Sequence, residues 1–355
     1  MRRTFHFLGD SATRPAADRV LYCDGGVDEE YREGVDLHLS HWLPNRTPVR
    51  YRASTSTEIC LLFVAEGGTA EGHDLVCNDH VDVDGVLSAF VLLYPELALQ
   101  RRTILIQAAE MGDFGGWGDS SAQRLFQALA HTLARLAARQ TSGADAYRQG
   151  MGVVQDVLEG RGEPLGDGIA ALARAVEWIE RGEIERTLLG RHFVHYAIPE
   201  RLARLDLDAA LRVTPFNAAM SANVLLSRHA RARLDAERIQ LVSVAEGDGF
   251  YYDLWYPGYS WADTVGLWRP PGICSAGSSN LHHVQYEPLT EAVAALTAAE
   301  TRPGQWQIAR RLSPFETIEG RGFSVVCAFL QEGAPAVSAL PPSRVAARFA
   351  AAYPG

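Results

Sequence analysis

A strand-like run followed by acidic residues is the part of the chain that is best equipped for chemistry. Residues 75–90 have the sequence LVCNDHVDVDGVLSAF: an apolar run, a polar loop and a helix-like segment that opens at Gly85. Alternate side chains of extended backbone point the same way, so His80, Asp82 and Asp84 can converge on one point. Carboxylate oxygens combined with an imidazole favour a divalent cation such as Mn²⁺ or Mg²⁺. The alternative interpretation is an aspartate that caps the helix, with two solvated neighbours.

The same stretch resembles motif I of the DHH phosphoesterase superfamily, in which a strand end is followed by Asp-x-Asp, a small residue and a helix with Ser-Ala. The matching residues are Asp82, Asp84, Gly85, Ser88 and Ala89. Several branches of that family place the first ligand four residues before the first Asp, which is Asn78 here, whereas His80 lies two residues before it. The first ligand is therefore either Asn78 or His80.

The resemblance implies further site residues. Residues 101–109 form a second strand-like run that ends in EMGDFGG, and Asp113 in this segment is similar to the motif II aspartate that bridges two metals in the family. His282 and His283 follow a small-residue loop that loosely resembles the His-containing substrate loop of the family's second domain. The predicted substrate-binding residues are Asn78, Ser88, His282 and His283.

The N-terminal segment offers ligands that the family takes from a downstream Asp-His-His triplet, which does not follow Asp113 here. Two strand-like runs precede motif I, and they end at Asp24 and His41. Two cations need about five or more protein ligands, and the central loops offer four. We therefore predict that this segment joins the same parallel sheet and brings Asp24 and His41 beside Asp82. The alternative is that His41 caps a helix or packs beside Trp42.

The string Asp-Val-Asp-Gly-Val-Leu also resembles the nucleophile motif of haloacid dehalogenase-type phosphatases, with Asp82 as the nucleophile. In that family the aspartate follows directly on a continuous apolar strand, whereas residues 78–80 interrupt the strand here. The family also places its later acidic motif far downstream and holds the phosphate with a lysine. Asp113 is close downstream and the chain contains no lysine, so this family is the minor alternative.

The composition limits the classes of function. The 355 residues suffice for one large or two ordinary domains, and 47% hydrophobic residues supply a core. A formal net charge of −10 argues against general binding to nucleic acid or a membrane surface. All 33 basic residues are arginine, which excludes a Walker-type lysine and a lysine Schiff base. Widely spaced cysteines, with no secretory signal and no bilayer-spanning run, predict a cytoplasmic protein with reduced thiols.

Strand-like and helical patterns alternate around the predicted site and indicate the fold. Residues 58–65 fit either a buried strand or a helix, and the hydroxyl-rich residues 53–57 fit a helix cap or donors to an anionic ligand. Residues 120–189 are helical by pattern. Strand, helix, strand and helix in succession imply parallel βαβ units with ligands at the carboxyl ends of the strands. We therefore predict an α/β fold: a parallel sheet flanked by helices, as in a DHH-like N-terminal lobe, with a second, smaller α+β lobe.

The boundary between the two lobes is predicted within residues 199–215. A metal-site domain then covers residues 1–205, with a helical insertion at about 120–190, and a substrate or cap domain covers residues 206–355. Two features stay open. His192 and His195 lie on one side of a predicted strand and have either a structural role or a role in a functional site. The aromatic residues 250–261 form either a stacking wall for a base or sugar or a packed domain interface.

These patterns together predict a metal-dependent hydrolase of a phosphoester or phosphoanhydride in a small anionic substrate, with a nucleotide-like molecule as one option. The predicted catalytic residues are His80, Asp82 and Asp84. The predicted metal ligands are His80, Asp82, Asp84, Asp113, Asp24 and His41. A metal-binding protein with the same fold but other chemistry, or with none, is the alternative from a different class. A homodimer is one option for the oligomeric state.

Overall fold

The computed structural model divides the chain into two compact units. It describes residues 3–10, 13–67, 73–162, 166–275, 282–312, 318 and 321–354. Unit 1 comprises Met1–Ile169, Asn217–Ala219 and Ala262–Gly266, and unit 2 comprises Ala170–Phe216, Met220–Trp261 and Leu267–Gly355. The main division lies at residue 169 and not near residue 205, because the helix that spans it leads directly into the first strand of the unit 2 sheet.

Unit 1 begins with strands and one helix and continues as a series of helices. Its strands are β1 (Thr4–Phe7), β2 (Arg19–Cys23), β3 (Leu37–Leu39) and β4 (His73–Asn78). Its helices are α1 (Ser56–Ala65), α2 (Val83–Leu93), α3 (Pro95–Gln100), α4 (Arg102–Phe114), α5 (Ser120–Ala138) and α6 (Gly143–Leu158). Helix α1 precedes β4 in the chain, and α2 follows it.

The four strands of unit 1 form one parallel sheet in the order β1-β4-β2-β3. Because the strands are parallel, the carboxyl ends of β2, β3 and β4 lie at the same edge of the sheet. The chain leaves these ends at Asp24, Ser40 and Asp79. The predictions of a parallel sheet, and of an N-terminal segment that belongs to it, are confirmed.

Burial on both faces explains why the strands of this sheet are apolar almost throughout. Side chains that share one face, such as Val20 on β2 and Leu75 on β4, form a buried cluster with loop residues such as Val27 and Tyr31 packed against it. On the helical side, α2 packs against β1, β2 and β4. Parallel sheets are normally covered on both faces in this way.

The second strand predicted in unit 1 is a helix. Residues 101–109 lie in and just before α4, which runs to Phe114, so no parallel strand follows β4 among the described residues of unit 1. The isoleucines of this segment favour a strand, but Leu105, Ala108 and Gly112 are buried at spacings of three and four, which is the period of one helix face. Asp113 therefore comes from the last turn of a helix and not from a strand end.

The remaining patterns of unit 1 are resolved as helices. Residues 58–65, which fit a strand or a helix, belong to α1. The predicted helical region 120–189 contains α5, α6 and α7 (Gly166–Glu180), but its last residues form a strand. Among the described residues, no helix is long and apolar enough to cross a membrane.

Unit 2 is built on a mixed sheet in the order β11-β13-β8-β7-β6-β5, with β14 paired to β13. Its strands are β5 (Glu185–Leu188), β6 (Phe193–Ile198), β7 (Ile239–Glu246), β8 (Gly249–Trp255), β9 (Ile273–Ser275), β10 (His282–Val284), β11 (Gln305–Ile308), β12 (Arg311–Leu312), β13 (Val325–Gln331) and β14 (Ala334–Pro335). Its helices after α7 are α8 (Glu200–Ala203), α9 (Leu207–Leu211), α10 (Arg228–Asp235), α11 (Glu287–Ala299) and α12 (Pro342–Ala352). Strands β9, β10 and β12 form a separate small sheet.

The aromatic stretch is part of the interior of unit 2. Tyr252, Trp255 and Trp261 are buried, and the hydroxyl of Tyr252 donates to the carbonyl of Leu340. A buried ring with a satisfied polar tip is typical of a packed core, so this stretch does not form an exposed stacking wall.

The two histidines near β6 have structural surroundings. His192 lies outside the strand and stacks on Trp268, with ring centroids 4.0 Å apart. His195 lies in β6 and is buried, and its Nε2 is 2.8 Å from the Ser243 hydroxyl on the neighbouring strand β7. Burial lowers the pKa of His195 to about 4.

We expect His195 to make unit 2 sensitive to mild acid. Because its folded-state pKa lies below the unfolded value of about 6.5, its contribution to stability is complete above that pH and is lost as the pH falls towards about 4. The difference in free energy of unfolding between the wild type and His195→Gln should therefore shrink over this window in urea titrations. The exposed His131→Gln is the control. A wild-type-to-His195→Gln difference that stays constant over this window would contradict the prediction.

Candidate metal centre

The carboxyl edge of the unit 1 sheet gathers five of the six predicted metal ligands from three strand ends. Asp24 follows β2, His41 follows β3, the loop after β4 supplies His80 and Asp82, and the first turn of α2 supplies Asp84. His80 Nε2 lies 3.2 Å from Asp24 Oδ2 and 3.2 Å from Asp82 Oδ2. The predicted convergence of the N-terminal residues with the Asp-x-Asp loop is confirmed, whereas their binding of a metal stays a prediction.

Asp24 belongs to two clusters of ligand-type atoms. One cluster is Asp24, His80 and Asp82, and the other is Asp24, His41 and Asp84. The Oδ2 atom of Asp24 faces His80 at 3.2 Å, and its Oδ1 atom lies 3.9 Å from His41 Nε2. In each cluster the three ligand atoms lie within 4.8 Å of one another, which is close enough for one cation to contact all three. Asp24 is thus common to both clusters.

Asp113 extends the second cluster. Its Oδ2 lies 3.3 Å from His41 Nε2, which in turn lies 4.0 Å from Asp84 Oδ2. Asp113 is fully buried in the last turn of α4, where backbone carbonyls make the helix end negative. A carboxylate at this end of a helix is unfavourable unless a positive charge lies beside it.

Helix N-termini hold two other carboxylates in fixed positions. Asp84 accepts hydrogen bonds from the backbone N–H groups of Ser56 and Thr57, at 2.7 and 2.8 Å, in the first turn of α1. Asp82 caps α2 by accepting from the N–H of Gly85 at 2.7 Å. Of the two alternatives for the hydroxyl-rich residues 53–57, the helix cap is confirmed, because Thr55 caps α1.

Gly85 is required at its place because there is no room for a side chain. A Cβ atom there would lie 2.5 Å from the Tyr147 hydroxyl and 2.7 Å from Asn78 Nδ2. The Tyr147 hydroxyl donates to the carbonyl of His80 at 2.8 Å. The glycine after Asp-x-Asp thus lets a tyrosine on α6 reach the loop that carries the ligands.

The orientation of His41 favours a cation at Nε2. Its Nδ1 lies 2.7 Å from the carbonyl oxygen of Ser54, an acceptor, so Nδ1 carries the proton. The Nε2 atom faces the carboxylates of Asp24, Asp84 and Asp113, at 3.9, 4.0 and 3.3 Å. An imidazole nitrogen and carboxylate oxygens that face one point are a donor set that a divalent cation can bind.

The electrostatics of the cluster are those of several acids crowded together in a buried place. Burial and the Asp24 carboxylate raise the pKa of Asp84. Burial, together with Asp84 and Asp82, raises the pKa of Asp113 well above its usual range. Burial opposes the charging of His80, but the carboxylates of Asp82 and Asp24 outweigh it and raise the pKa of His80 well above its usual value. The donor set, carboxylate oxygens with two imidazoles, is one that a divalent cation can bind.

The predicted substrate-binding residues have other surroundings. Asn78 is buried, and its Oδ1 accepts from the backbone N–H of His80 at 3.1 Å, so Asn78 shapes the loop and His80 is the ligand-type residue. Ser88 is fully buried, with its hydroxyl 3.5 Å from Asp84 Oδ1, a place from which it supports Asp84 and cannot reach a substrate. His282 and His283 lie in β10 of unit 2, and their side chains are outside the described part of the structure.

Three side chains outside the predicted ligand set donate hydrogen bonds to the site. Trp42 Nε1 and the Ser56 hydroxyl donate to Asp24 Oδ1 at 2.9 and 2.8 Å. The amide of Asn217 donates to Asp113 Oδ1 at 3.2 Å. Asn217 belongs to a short segment that packs with unit 1 although it is distant in the chain, and its left-handed backbone, with φ of 52°, is the one local sign of a special role.

Comparison with protein families places the chain in one of them. Residues 3–265 match the family described as "Family of unknown function (DUF6687)", which covers well over half of the chain, so the protein belongs to this family. The matched region includes all of the candidate metal centre. No curated protein and no solved structure matches the chain.

We expect Asp113→Asn to stabilise the protein in the absence of metal. At neutral pH the raised pKa of Asp113 means that its charged form is disfavoured by folding, so removal of the charge should raise the free energy of unfolding, by on the order of 1 kcal/mol. Thermal unfolding in EDTA measures this, with the exposed Asp167→Asn as the control. A variant that is less stable than the wild type at pH 7, or a gain that persists below pH 3, would contradict the electrostatic explanation.

Proposed function

We propose that this protein is a metal-dependent hydrolase of a phosphoester or phosphoanhydride in a small anionic substrate. The observation that carries the proposal is the pair of carboxylate–imidazole clusters that share Asp24. In such a site, Asp24, His80 and Asp82 would hold one cation, and Asp24, His41 and Asp84 the other, with Asp113 beside the second. Mn²⁺ is the foremost candidate, and Mg²⁺ is the alternative.

The chemistry depends on what the bound ions would supply and on what the chain holds in place. A pair of divalent cations polarises a phosphoryl oxygen and brings the pKa of a bound water close to neutral. The chain fixes the ligands by hydrogen bonds to Asp24, Asp82 and Asp84, so their geometry is set before a substrate arrives. Side-chain exposure gives the direction of approach, because His80 is 27% exposed while Asp24 and His41 are 0% exposed.

The similarity to motif I of the DHH superfamily supports this class of reaction. It rests on Asp82, Asp84, Gly85 and the buried Ser88 on α2. Asp113 departs from the pattern, since it lies on a helix, although it still reaches the second cluster. Within this proposal the N-terminal Asp24 and His41 replace ligands that the superfamily takes from a later part of the chain.

Direct attack by water is favoured over an aspartyl intermediate. A nucleophilic Asp82, as in a haloacid dehalogenase-type phosphatase, needs an oxygen directed at the phosphorus atom. Here Oδ1 of Asp82 caps α2 through Gly85, and Oδ2 lies 3.2 Å from His80. Oδ1 therefore has the surroundings of a helix cap, and Oδ2 has those of a metal ligand.

The cysteines support the expected cytoplasmic location. Cys23, Cys60, Cys77 and Cys327 are free and buried. Burial raises the pKa of Cys77 to about 12, so this thiol stays protonated and unreactive. Proteins that keep several free thiols are typical of reducing compartments.

We expect the double variant Asp82→Asn, Asp84→Asn to lose bound metal and, with it, hydrolysis. Each substitution removes a charged oxygen ligand while it keeps the shape of the side chain. Metal analysis of protein equilibrated with Mn²⁺ and then desalted should give a clearly lower content for this variant than for the wild type. Hydrolysis of bis(p-nitrophenyl) phosphate and of dinucleotides in the presence of Mn²⁺ should fall by at least about 100-fold.

The matched control is Asp145→Asn with Asp156→Asn, two acids on α6 of which the first is partly exposed and the second exposed. Circular dichroism of all three proteins shows whether each one is folded. Equal metal content in the wild type and in the site variant would contradict the metal site. A phosphoryl group on Asp82 in rapidly quenched reactions would contradict direct attack by water.

A further inference from the structure

Asp79 is the acidic residue of the candidate site that has no place among the predicted ligands. It precedes His80 in the loop after β4, and its side chain is 44% exposed. A solvated acid at a loop tip would explain that exposure. A solvated acid would not need specific contacts, however, and each oxygen of Asp79 makes one.

The first contact is with the outer nitrogen of His80. Asp79 Oδ1 lies 2.9 Å from His80 Nδ1, whereas His80 Nε2 lies 3.2 Å from both Asp24 Oδ2 and Asp82 Oδ2. Nδ1 of the imidazole therefore contacts a carboxylate outside the cluster, and Nε2 contacts the two carboxylates inside it. A carboxylate on Nδ1 favours the form of the ring in which Nδ1 carries the proton.

The second contact anchors Asp79 to the turn that carries Asp24. Asp79 Oδ2 accepts from the backbone N–H of Gly26 at 3.1 Å. This turn is left-handed at both Asp24, with φ of 52°, and Gly25, with φ of 70°. A Cβ atom on Gly25 would lie 2.1 Å from Asp79 Oδ1, so a glycine is needed for the turn to close over the pair.

The rest of His80 is held as firmly as its Nδ1. Its N–H donates to Asn78 Oδ1 at 3.1 Å and its carbonyl accepts from Tyr147. The edge of the ring packs against Trp42, with centroids 5.1 Å apart. With the backbone and one side of the ring fixed, the hydrogen bond at Nδ1 decides which nitrogen can bind a cation.

We propose that Asp79 is a positioning residue that keeps the proton of His80 on Nδ1 and so presents Nε2 to a cation shared with Asp24 and Asp82. This inference rests on the proposed metal site. By holding Gly26 as well, Asp79 also fixes the distance between the β2 turn, which supplies Asp24, and the β4 loop, which supplies His80. Groups that orient a ligating histidine in this way are worth about 10- to 100-fold in metal affinity.

The test is a double-mutant cycle read by Mn²⁺ affinity in isothermal titration calorimetry. Asp79→Ala should weaken Mn²⁺ binding by about 10- to 100-fold. In the His80→Ala background the same substitution should have little further effect, because Asp79 acts through the ring. Asp10→Ala is the control for general loosening, since Asp10 also holds backbone N–H groups, those of Gly143 and Ala144. It should leave Mn²⁺ affinity unchanged.

A second readout reports the proton itself. In the Mg²⁺-loaded protein, long-range ¹H–¹⁵N correlation spectra should show Nδ1 of His80 protonated in the wild type, and a mixed or reversed tautomer in Asp79→Ala. Wild-type Mn²⁺ affinity retained in Asp79→Ala, or equal losses in both backgrounds of the cycle, would overturn the role of Asp79 and leave the metal site standing. A wild type that binds no Mn²⁺ would overturn the metal site itself, and the role of Asp79 with it.

Discussion

The architecture of unit 1 depends on placing four buried carboxylates around two imidazoles. Asp24, Asp84 and Asp113 are fully buried, and Asp82 is nearly so. Like charges at this depth repel one another and lose their hydration, which is why burial and neighbouring acids raise the pKa values of Asp84 and Asp113. A fold that keeps such a cluster must compensate each charge locally. Two cations bound at the clusters that share Asp24 would compensate these negative charges.

The backbone supplies the local compensation that is visible in the structure. The N-terminus of α1 donates two N–H groups to Asp84, and that of α2 donates to Asp82. The parallel sheet makes this geometry possible, because its carboxyl edge brings three loops to one place and helices that follow strands point their N-termini back at that edge. Asp113 is the exception, since it lies at the C-terminal end of α4, where the helix adds to the repulsion. Its position is the strongest electrostatic argument for a positive charge at the second cluster.

Much of the site could be predicted from residues that are close in the chain. The strand ends before Asp24 and His41, and the strand end before His80 and Asp82, predict the shared site, because parallel strands share one carboxyl edge. The predicted alternation of His80, Asp82 and Asp84 is wrong for Asp84, which lies in the first turn of α2 and in the cluster of His41. Contacts between distant parts of the chain could not be predicted in this way. Asn217 is 104 residues from Asp113, and no local pattern connects them. The isoleucines of α4 favour a strand, and a strand is what the sequence predicts there. The segment is a helix because its buried residues lie three and four positions apart and pack as one helix face. The two compact units divide at residue 169, which lies inside α7, where the helical pattern of the sequence marks no boundary.

The central claim is that Asp24 is shared by two cations, and paramagnetic resonance of the Mn²⁺-loaded protein tests it most directly. Two Mn²⁺ ions about 3.5–4 Å apart, bridged by one carboxylate, give an exchange-coupled spectrum that differs from that of isolated ions. We predict a coupled spectrum with two Mn²⁺ ions per chain for the wild type, and loss of the coupling in Asp24→Asn. A spectrum of isolated Mn²⁺, identical in the wild type and in Asp24→Asn, would contradict the account.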